Sequence, residues 1–317
     1  MGPWLAAVVA LHGVAGCHPE ARETPTQGQL EVAVSEAHAP LLARQAELFN
    51  SLYTRAAVTV RPVSTRRAFA AVVVGSAALV VVDRSPDAQE EAALASLELE
   101  RVDIGEDALA FLVNKANDLE SVSTQQVGDL LAGRTRDWSA LPAAGLSGPI
   151  TVVLTDRESG AWQLLATRFF PGLDVPQPTR IEATQGEVLR TVATSPGALG
   201  VVSVAAWRAR AAGIQAAAAT GEPGWANGVA PAAAGSVRCL AIADLDASGH
   251  PVVHALHQAN VHGGLYPFHY PITVLFNKRS SLAAGFSAFL ASAPGQKQVL
   301  DAGLVPATMP VRLVHLK

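Results

Sequence analysis

Charged, aromatic and sulfur-containing residues are all scarce in this chain of 317 residues. Only 16% of the residues are charged and 50% are apolar, a composition that argues for a folded chain and against intrinsic disorder. The formal net charge of -4 argues against nucleic-acid binding, which usually requires a basic face. Aromatic residues make up only 5%, so alanine and valine must supply most of the core, and this favours buried strands and closely packed helices.

The chain has two cysteines, which stand in very different contexts. Cys17 ends an apolar segment, residues 4–16, that is too short to span a bilayer and closes with small residues. This ending resembles the lipobox of bacterial lipoproteins, in which the cysteine is acylated and lipid chains hold the protein at a membrane surface. No Lys or Arg precedes the apolar run, so an N-terminal tail with a chance cysteine stays open as the alternative. An acylated Cys17 leaves Cys239 without a partner, and we therefore predict no disulfide.

Motifs of common enzyme classes are missing. The sequence contains no G-x-S-x-G nucleophile elbow, no glycine-rich nucleotide loop and no His-Glu-x-x-His zinc motif, so we expect no enzyme. A stretch near the C-terminal third is rich in histidine, and carboxylate or thiolate co-ligands are not spaced around it for a closed metal site. We therefore expect no metal and no cofactor. The histidines of this stretch are His250, His254, His257, His262 and His269.

Strand and helix patterns alternate along the chain. A polar, proline-bearing tether at 18–28 is followed by predicted strands at 29–34, 57–63 and 78–82, with helices at 39–53 and 65–74 between them. This order is the βαβ pattern of a parallel sheet and predicts the α/β class. Farther along, the same patterns predict strands at 107–113, 149–154, 198–204, 238–242 and 272–276, and helices at 123–132, 186–194 and 282–291. The segment 212–235 is rich in Ala, Gly and Pro and is predicted to be a loop.

Several segments resemble, in order, the phosphate-binding component of ABC-type phosphate transporters. Residues 109–117 and 270–278 are similar to the two crossover strands of that family. Residues 127–141 are similar to its helix and the turn that leads to a tryptophan, and residues 186–202 are similar to its helix and "PGAIGYV" strand. Residues 294–306 are similar to its C-terminal ending. The resemblance implies a type II periplasmic-binding-protein fold with two α/β lobes, mainly parallel sheets flanked by helices, and two crossover strands. Lobe one would hold residues 29–109 and 273–317, and lobe two residues 110–272. A signal peptide would occupy residues 1–17.

The ligand that this resemblance implies is a small oxyanion, with phosphate as the leading candidate. Such an anion is held by backbone N–H groups at helix N-termini and by an arginine. The turn at residues 157–161 is similar to the family's ligand-binding motif, an Arg followed by Ser-Gly-Thr. Arg157, Ser159 and Gly160 match this motif, and Ala161 replaces the Thr. A surface turn with an adjacent charge pair is the structural alternative for this segment.

Two further turns align with the family's ligand-binding turns. The first supplies Ser35 and Glu36, and the second supplies Ser64 and Thr65. A carboxylate at Glu36 would repel a bound phosphate unless its charge is compensated.

At a third ligand-binding position, this sequence lacks the residue type that the family has. The family's Asp at the start of a strand falls on Ala78, while Asp83 and Arg84 stand at the other end of that strand, where Arg84 is placed to pair with Asp83. These departures leave a second hypothesis open, in which a degenerate pair of lobes senses a ligand or docks a partner protein without transport.

The resemblance also implies partners and a location. The expected partners are the small oxyanion and the permease subunits of an ABC transporter, and the protein is expected to be monomeric. The expected location is the periplasmic or cell-surface face of a bacterial membrane, with the lipid at Cys17 as the anchor. Since the site would lie between lobes joined by a hinge, the lobes are expected to close on the ligand.

Overall fold

The computed structural model describes residues 22–155, 157–171, 180–209, 236–246 and 248–308. The predicted signal peptide with Cys17, the first part of the tether and the whole of the predicted loop at 212–235 lie outside the described residues. Within the described ranges, no helix is both long enough and apolar enough to cross a membrane.

The first lobe is built on three parallel strands. β1 (Gln27–Ser35) lies between β2 (Arg55–Val63) and β3 (Leu79–Val82), and α1 (Ala39–Leu52) and α2 (Thr65–Val73) make the connections. All four residues of β3 are buried, because helices cover both faces of this sheet. The alternation of side chains along β1 divides its apolar residues between the two faces. Val32 and Val34 pack on the side of α1, whereas Ala33 packs with Phe69 of α2.

The second lobe repeats this arrangement. Its parallel strands are β6 (Thr151–Leu154), β7 (Arg180–Ile181) and β8 (Ala198–Ser203), in the order β8-β6-β7, with the helices α4 (Thr124–Leu131), α5 (Gly160–Phe169) and α6 (Gln185–Thr194). Val188 and Val192 of α6 pack on β8, where a side chain at Gly200 would collide with both valines. A small sheet of β5 (Ser121–Val122), β10 (Ala241–Leu245) and β11 (Pro251–His254) completes the lobe.

Two long strands run from one lobe into the other. β4 (Leu99–Asn114) pairs antiparallel with β12 (His269–Asn277) up to Ala108 and then, from Leu109 onward, with β8. β12 also pairs with β3, and the short strands β9 (Val237–Cys239) and β13 (Val305–Pro306) both pair with β4. The fold is therefore the predicted one, two α/β lobes joined by crossover strands, with parallel strands in each lobe and antiparallel pairing where the crossover strands join them. The residue boundaries proposed for the lobes stay a prediction.

Helices that lack an apolar period were not predicted from the sequence. α3 (Ala88–Leu94) buries only Leu94 and is stabilised at its start by a capping box between Asp87 and Glu90. α7 (Gln258–His262) is a single short turn in the histidine-rich stretch. The C-terminal helix α8 (Ser281–Ala291) falls where its apolar residues predicted it, and α9 (Ala293–Asp301) follows it directly.

Candidate functional site

A pocket of about 180 Å³ opens between the lobes, at the carboxyl ends of their parallel strands. This is where open α/β sheets place their ligands. Every segment that lines it begins a helix or ends a strand. The lining residues are Ser35, Glu36, Ala37, Pro62, Val63, Ser64, Thr65, Asp83, Thr155, Ser159, Gly160, Ala183, Thr184 and Gln185.

Helix N-termini from both lobes converge on this pocket. Ser64 caps α2, Ser159 caps α5 and Thr184 caps α6, each accepting a hydrogen bond from a backbone N–H of the first turn. In the first lobe, the segment after Ser35 forms a 3₁₀ turn that continues into α1. The first N–H groups of a helix have no partner inside it and carry the positive end of the helix dipole. The pocket is therefore furnished with hydrogen-bond donors suited to an anion.

Carboxylates also reach into the pocket. Glu36 Oε1 accepts a hydrogen bond at 3.2 Å from the backbone N–H of Gln185, the first residue of α6. Asp83 is 4% exposed, and its carboxylate accepts a hydrogen bond from the Thr65 hydroxyl. A side chain at Gly160 would collide with the Asp83 carboxylate, so glycine is required where α5 begins. The pocket thus offers acceptors as well as donors.

Contacts across the mouth of the pocket hold the lobes together. The Ser64 hydroxyl donates to Glu158 Oε2 at 2.8 Å, and Arg67 Nε lies 3.5 Å from the same oxygen. Together with the bond between Glu36 and Gln185, these contacts join the segments at the starts of α1 and α2 in the first lobe to those at the starts of α5 and α6 in the second. The structure therefore shows a closed arrangement of the two lobes.

The structure brings six of the eight predicted site residues together. Ser35, Glu36, Ser64, Thr65, Ser159 and Gly160 all line the pocket. Arg157 does not: it is exposed, and its guanidinium lies 5.4 Å from the centre of the Trp162 ring, a cation–π contact. Ala161 is buried in the core beneath the start of α5. Among the described residues, the lining carries no lysine or arginine.

Ala78, on which the family's third ligand position was expected to fall, does not line the pocket. Ala78 precedes β3 at the end away from the pocket, where its carbonyl accepts from Asn277 N at 2.8 Å. Asp83, at the carboxyl end of β3, is the residue that reaches the pocket. Arg84 does not pair with it but forms two hydrogen bonds to the Glu90 carboxylate, the Nη2–Oε1 distance being 2.8 Å. The signal that could have identified Asp83 is its position after a buried parallel strand.

Three buried side chains, linked by hydrogen bonds, lie directly behind the pocket. Ser35 Oγ is 2.9 Å from His38 Nδ1, and His38 Nε2 is 2.9 Å from Asp107 Oδ2. Asp107 belongs to crossover strand β4, and Tyr270 of crossover strand β12 also interacts with its carboxylate. This row of hydrogen-bonded residues could not be inferred from local patterns, because His38 and Asp107 are far apart in sequence.

The charges around His38 favour its protonated form. Burial by itself lowers the pKa of His38, but the hydrogen bond and the charge of Asp107, with the charge of Asp83, outweigh burial and raise this pKa above its usual value. Burial, followed by the charges of Asp107 and Asp83, raises the pKa of Tyr270 well above its ordinary range, so this phenol is neutral. The pocket therefore borders a buried, titratable imidazole.

The histidine-rich stretch forms no comparable cluster. His254 ends β11 and His257 caps α7, so the two do not share a helical face. In the described part of the chain, no group of three or more His, Cys, Asp or Glu side chains is arranged to hold a metal ion. Cys239 is a free thiol, and burial raises its pKa to about 12.

Comparison with known sequences finds relatives among phosphate-binding proteins. The chain is 26% identical over 116 residues to phosphate-binding protein PstS 2 of Streptococcus agalactiae serotype V, and equally similar to that of serotype III. The aligned part covers 37% of this chain and 38% of the streptococcal protein. The chain therefore matches well under half the length of these relatives.

Comparison with solved structures finds the same fold. A Clostridium perfringens protein, assigned as a phosphate ABC transporter substrate-binding protein and solved with bound phosphate, superimposes with a TM-score of 0.70 at 17% identity, covering 89% of this chain and 100% of that one. An ABC-type phosphate transport receptor from Vibrio cholerae gives a TM-score of 0.62 at 18% identity, with the same coverage of both chains. The PBP superfamily domain matches residues 19–294. The family model thus covers most of the chain, which therefore belongs to the PBP superfamily.

Proposed function

We propose that this protein is an extracytoplasmic solute-binding protein that captures a small oxyanion, phosphate first, for an ABC transporter. The observation that carries the proposal is the convergence of helix N-termini from both lobes on one closed pocket. Such termini bind tetrahedral oxyanions through backbone N–H groups and the helix dipole. The streptococcal relatives and the structural neighbours, which are phosphate-binding proteins by name, support the same ligand.

The carboxylates of the pocket select among oxyanions. Near neutral pH phosphate keeps at least one proton, and this proton can be donated to the Asp83 carboxylate. A fully ionised anion such as sulfate has no proton to donate and meets only charge repulsion there. Because the described lining also lacks a cationic side chain, a singly charged, protonated anion fits the pocket better than a doubly charged one.

The remaining parts of the proposal concern location and partners. The lipobox-like ending at Cys17 and the polar tether that follows it support export and anchoring by lipid at the outer face of a bacterial membrane. A monomer at this surface would deliver its ligand to the permease subunits of the transporter. Incorporation of radiolabelled palmitate into the wild-type chain, and not into Cys17→Ser, tests the anchor.

Calorimetric titration with phosphate, sulfate, molybdate and arsenate tests the ligand. The chain should carry Cys17→Ser, so that it cannot be acylated, and should retain Glu23, whose carboxylate accepts hydrogen bonds from Ser280 and from Leu282 N at the start of α8. We expect binding of phosphate in the micromolar range or tighter, about -8 kcal/mol or more favourable. Absence of heat with every oxyanion, from a chain shown to be folded by circular dichroism, would refute the proposal.

A second candidate function follows from the contacts across the cleft. Glu36 and Glu158 already accept hydrogen bonds from donors of the opposite lobe. A pocket closed by its own carboxylates is consistent with a protein that docks a partner or senses a ligand without transport. Pull-down of permease subunits from membranes of the source organism separates the two functions, since only a transport receptor binds them.

Replacing Gly160 by alanine is expected to weaken phosphate binding by about tenfold or more. The new methyl group would collide with the buried Asp83 carboxylate, so the start of α5 must move away from the first lobe and the pocket opens. Titration calorimetry of the variant gives the affinity. Gly186→Ala is the matched control, because a Cβ there meets only Thr184 Oγ1 at 3.7 Å. Equal affinities of the two variants would contradict the prediction.

A further inference from the structure

We propose that His38 is a positioning residue of the oxyanion site: protonation of its imidazole turns the Ser35 hydroxyl into a donor to the bound anion, so that binding takes up a proton at His38. The inference rests on the proposed function and deepens it. It starts from three residues that the structure places in line, with Ser35 in the pocket lining and His38 and Asp107 behind it.

The direction of each hydrogen bond follows from the groups available. An ionised Asp107 can only accept, so His38 Nε2 carries a proton and donates to it. In a neutral imidazole, Nδ1 then has a lone pair, and it must accept the single hydroxyl proton of Ser35. The hydroxyl in this state presents only lone pairs to the pocket, and these repel an oxyanion.

Adding one proton to the imidazole reverses the second bond. Nδ1 of the imidazolium donates to Ser35 Oγ, which frees the hydroxyl proton to point into the pocket and donate to an oxyanion oxygen. The bound anion in turn lies close to the imidazolium and stabilises its charge. By linkage, the anion and the proton therefore strengthen each other's binding.

The groups that surround His38 are acids and a phenol, and the acids favour the protonated imidazole. The imidazole and the Asp107 carboxylate are both 0% exposed. Asp107 of β4 and Asp83, at the end of β3, both place a negative charge near the imidazole. The Tyr270 ring of β12 packs edge-on against it, with 6.3 Å between the ring centres. Glu36 belongs to the same 3₁₀ turn as His38. The acids that act on the imidazole raise the pKa of His38 against the opposing effect of burial. Protonated His38 is thus favoured below that pKa and is lost as the pH rises through it.

Proton uptake on binding is the measurement that tests the proposal. Inorganic phosphate is titrated into the full chain carrying Cys17→Ser, in pairs of buffers with different ionisation enthalpies, across the pH range from 5 to 9. The difference in heat gives the number of protons taken up. We expect the wild type to take up more protons than Ser35→Ala at the same pH, since the ionisation of phosphate itself contributes equally to both. The affinity of the wild type should exceed that of Ser35→Ala by about tenfold at low pH, and this ratio should shrink as the pH rises.

A matched variant separates this role from a general contribution of serine to the pocket. Ser64→Ala removes another lining hydroxyl, one that bonds to Glu158 and not to histidine. It should weaken binding without changing proton uptake. His38→Asn places an amide near the position of Nδ1 that can donate at every pH, so it should bind phosphate without the extra proton.

Nitrogen-15 NMR of the His38 ring gives an independent reading that does not require a variant. Phosphate should shift the titration of Nδ1 to higher pH. Equal proton uptake by wild type and Ser35→Ala, or an unchanged His38 titration in the presence of bound phosphate, would overturn the inference while leaving phosphate binding intact. A folded wild type that binds no oxyanion at any pH would overturn the proposed function, and the inference with it.

Discussion

Replacing Asp107 by alanine is expected to lower the free energy of unfolding by about 3–5 kcal/mol. The side chains of Asp107 and His38 are both 0% exposed, and the carboxylate also accepts from the backbone N–H groups of Ala108 and Ala205. Removal of the carboxylate leaves a buried imidazole and buried N–H groups without their acceptor. Denaturation by urea, followed by circular dichroism, measures the loss.

The loss should depend on pH in a direction set by His38. The pKa of His38 is raised in the folded protein, so the stability from its pairing with Asp107 is fully present below the unfolded pKa and is lost as the pH rises through the folded pKa. The Asp107→Ala substitution should therefore lower the free energy of unfolding more near pH 6 than near pH 9. Asp301→Ala is the control, because its exposed pairing with Lys297 contributes at most about 1 kcal/mol. A loss below about 1 kcal/mol for Asp107→Ala, or one that is equal at both pH values, would contradict the prediction.

The fold was predictable from the sequence because its signals are local. The buried run of β3 and the apolar period of α1 each reflect the environment of consecutive residues, which composition and spacing record directly. The order of these elements then indicates a parallel α/β sheet. α3 escaped prediction for the opposite reason: it buries one leucine, and its capping box lies in a segment without an apolar face.

The site was predictable only where it coincides with a helix start. Ser64 and Ser159 cap helices, and a serine before an apolar helix is a local signal. Arg157 was expected in the pocket on resemblance alone. In the structure it stacks on Trp162 instead.

The chain of residues behind the pocket depends on topology. Asp107 reaches His38 because β4 crosses between the lobes next to the turn after β1, and neither spacing nor composition records that approach. Asp83 is an intermediate case. Its place at the carboxyl end of a parallel strand indicates a position at the cleft, but only once the direction of β3 within the sheet is taken into account.

Replacing Asp83 by asparagine is expected to weaken phosphate binding by roughly 10- to 100-fold and to remove most of the discrimination against sulfate. The substitution keeps the size of the side chain and an acceptor for the Thr65 hydroxyl, so the pocket should keep its shape. It removes the charged acceptor for the proton of phosphate and the charge that repels sulfate. Affinity for phosphate should therefore fall while affinity for sulfate rises, a reversal that loss of folding cannot produce.

Asp103→Asn is the matched control for this substitution. Asp103 also accepts a hydrogen bond from a threonine hydroxyl, that of Thr273, but it is exposed on β4 away from the pocket. The control should leave both affinities unchanged. If Asp83→Asn lowered the affinities for phosphate and sulfate by the same factor, Asp83 would be a structural support of the pocket and not the acceptor of a ligand proton. Selection by protonation would then have to depend on Glu36, the other carboxylate among the described residues of the lining.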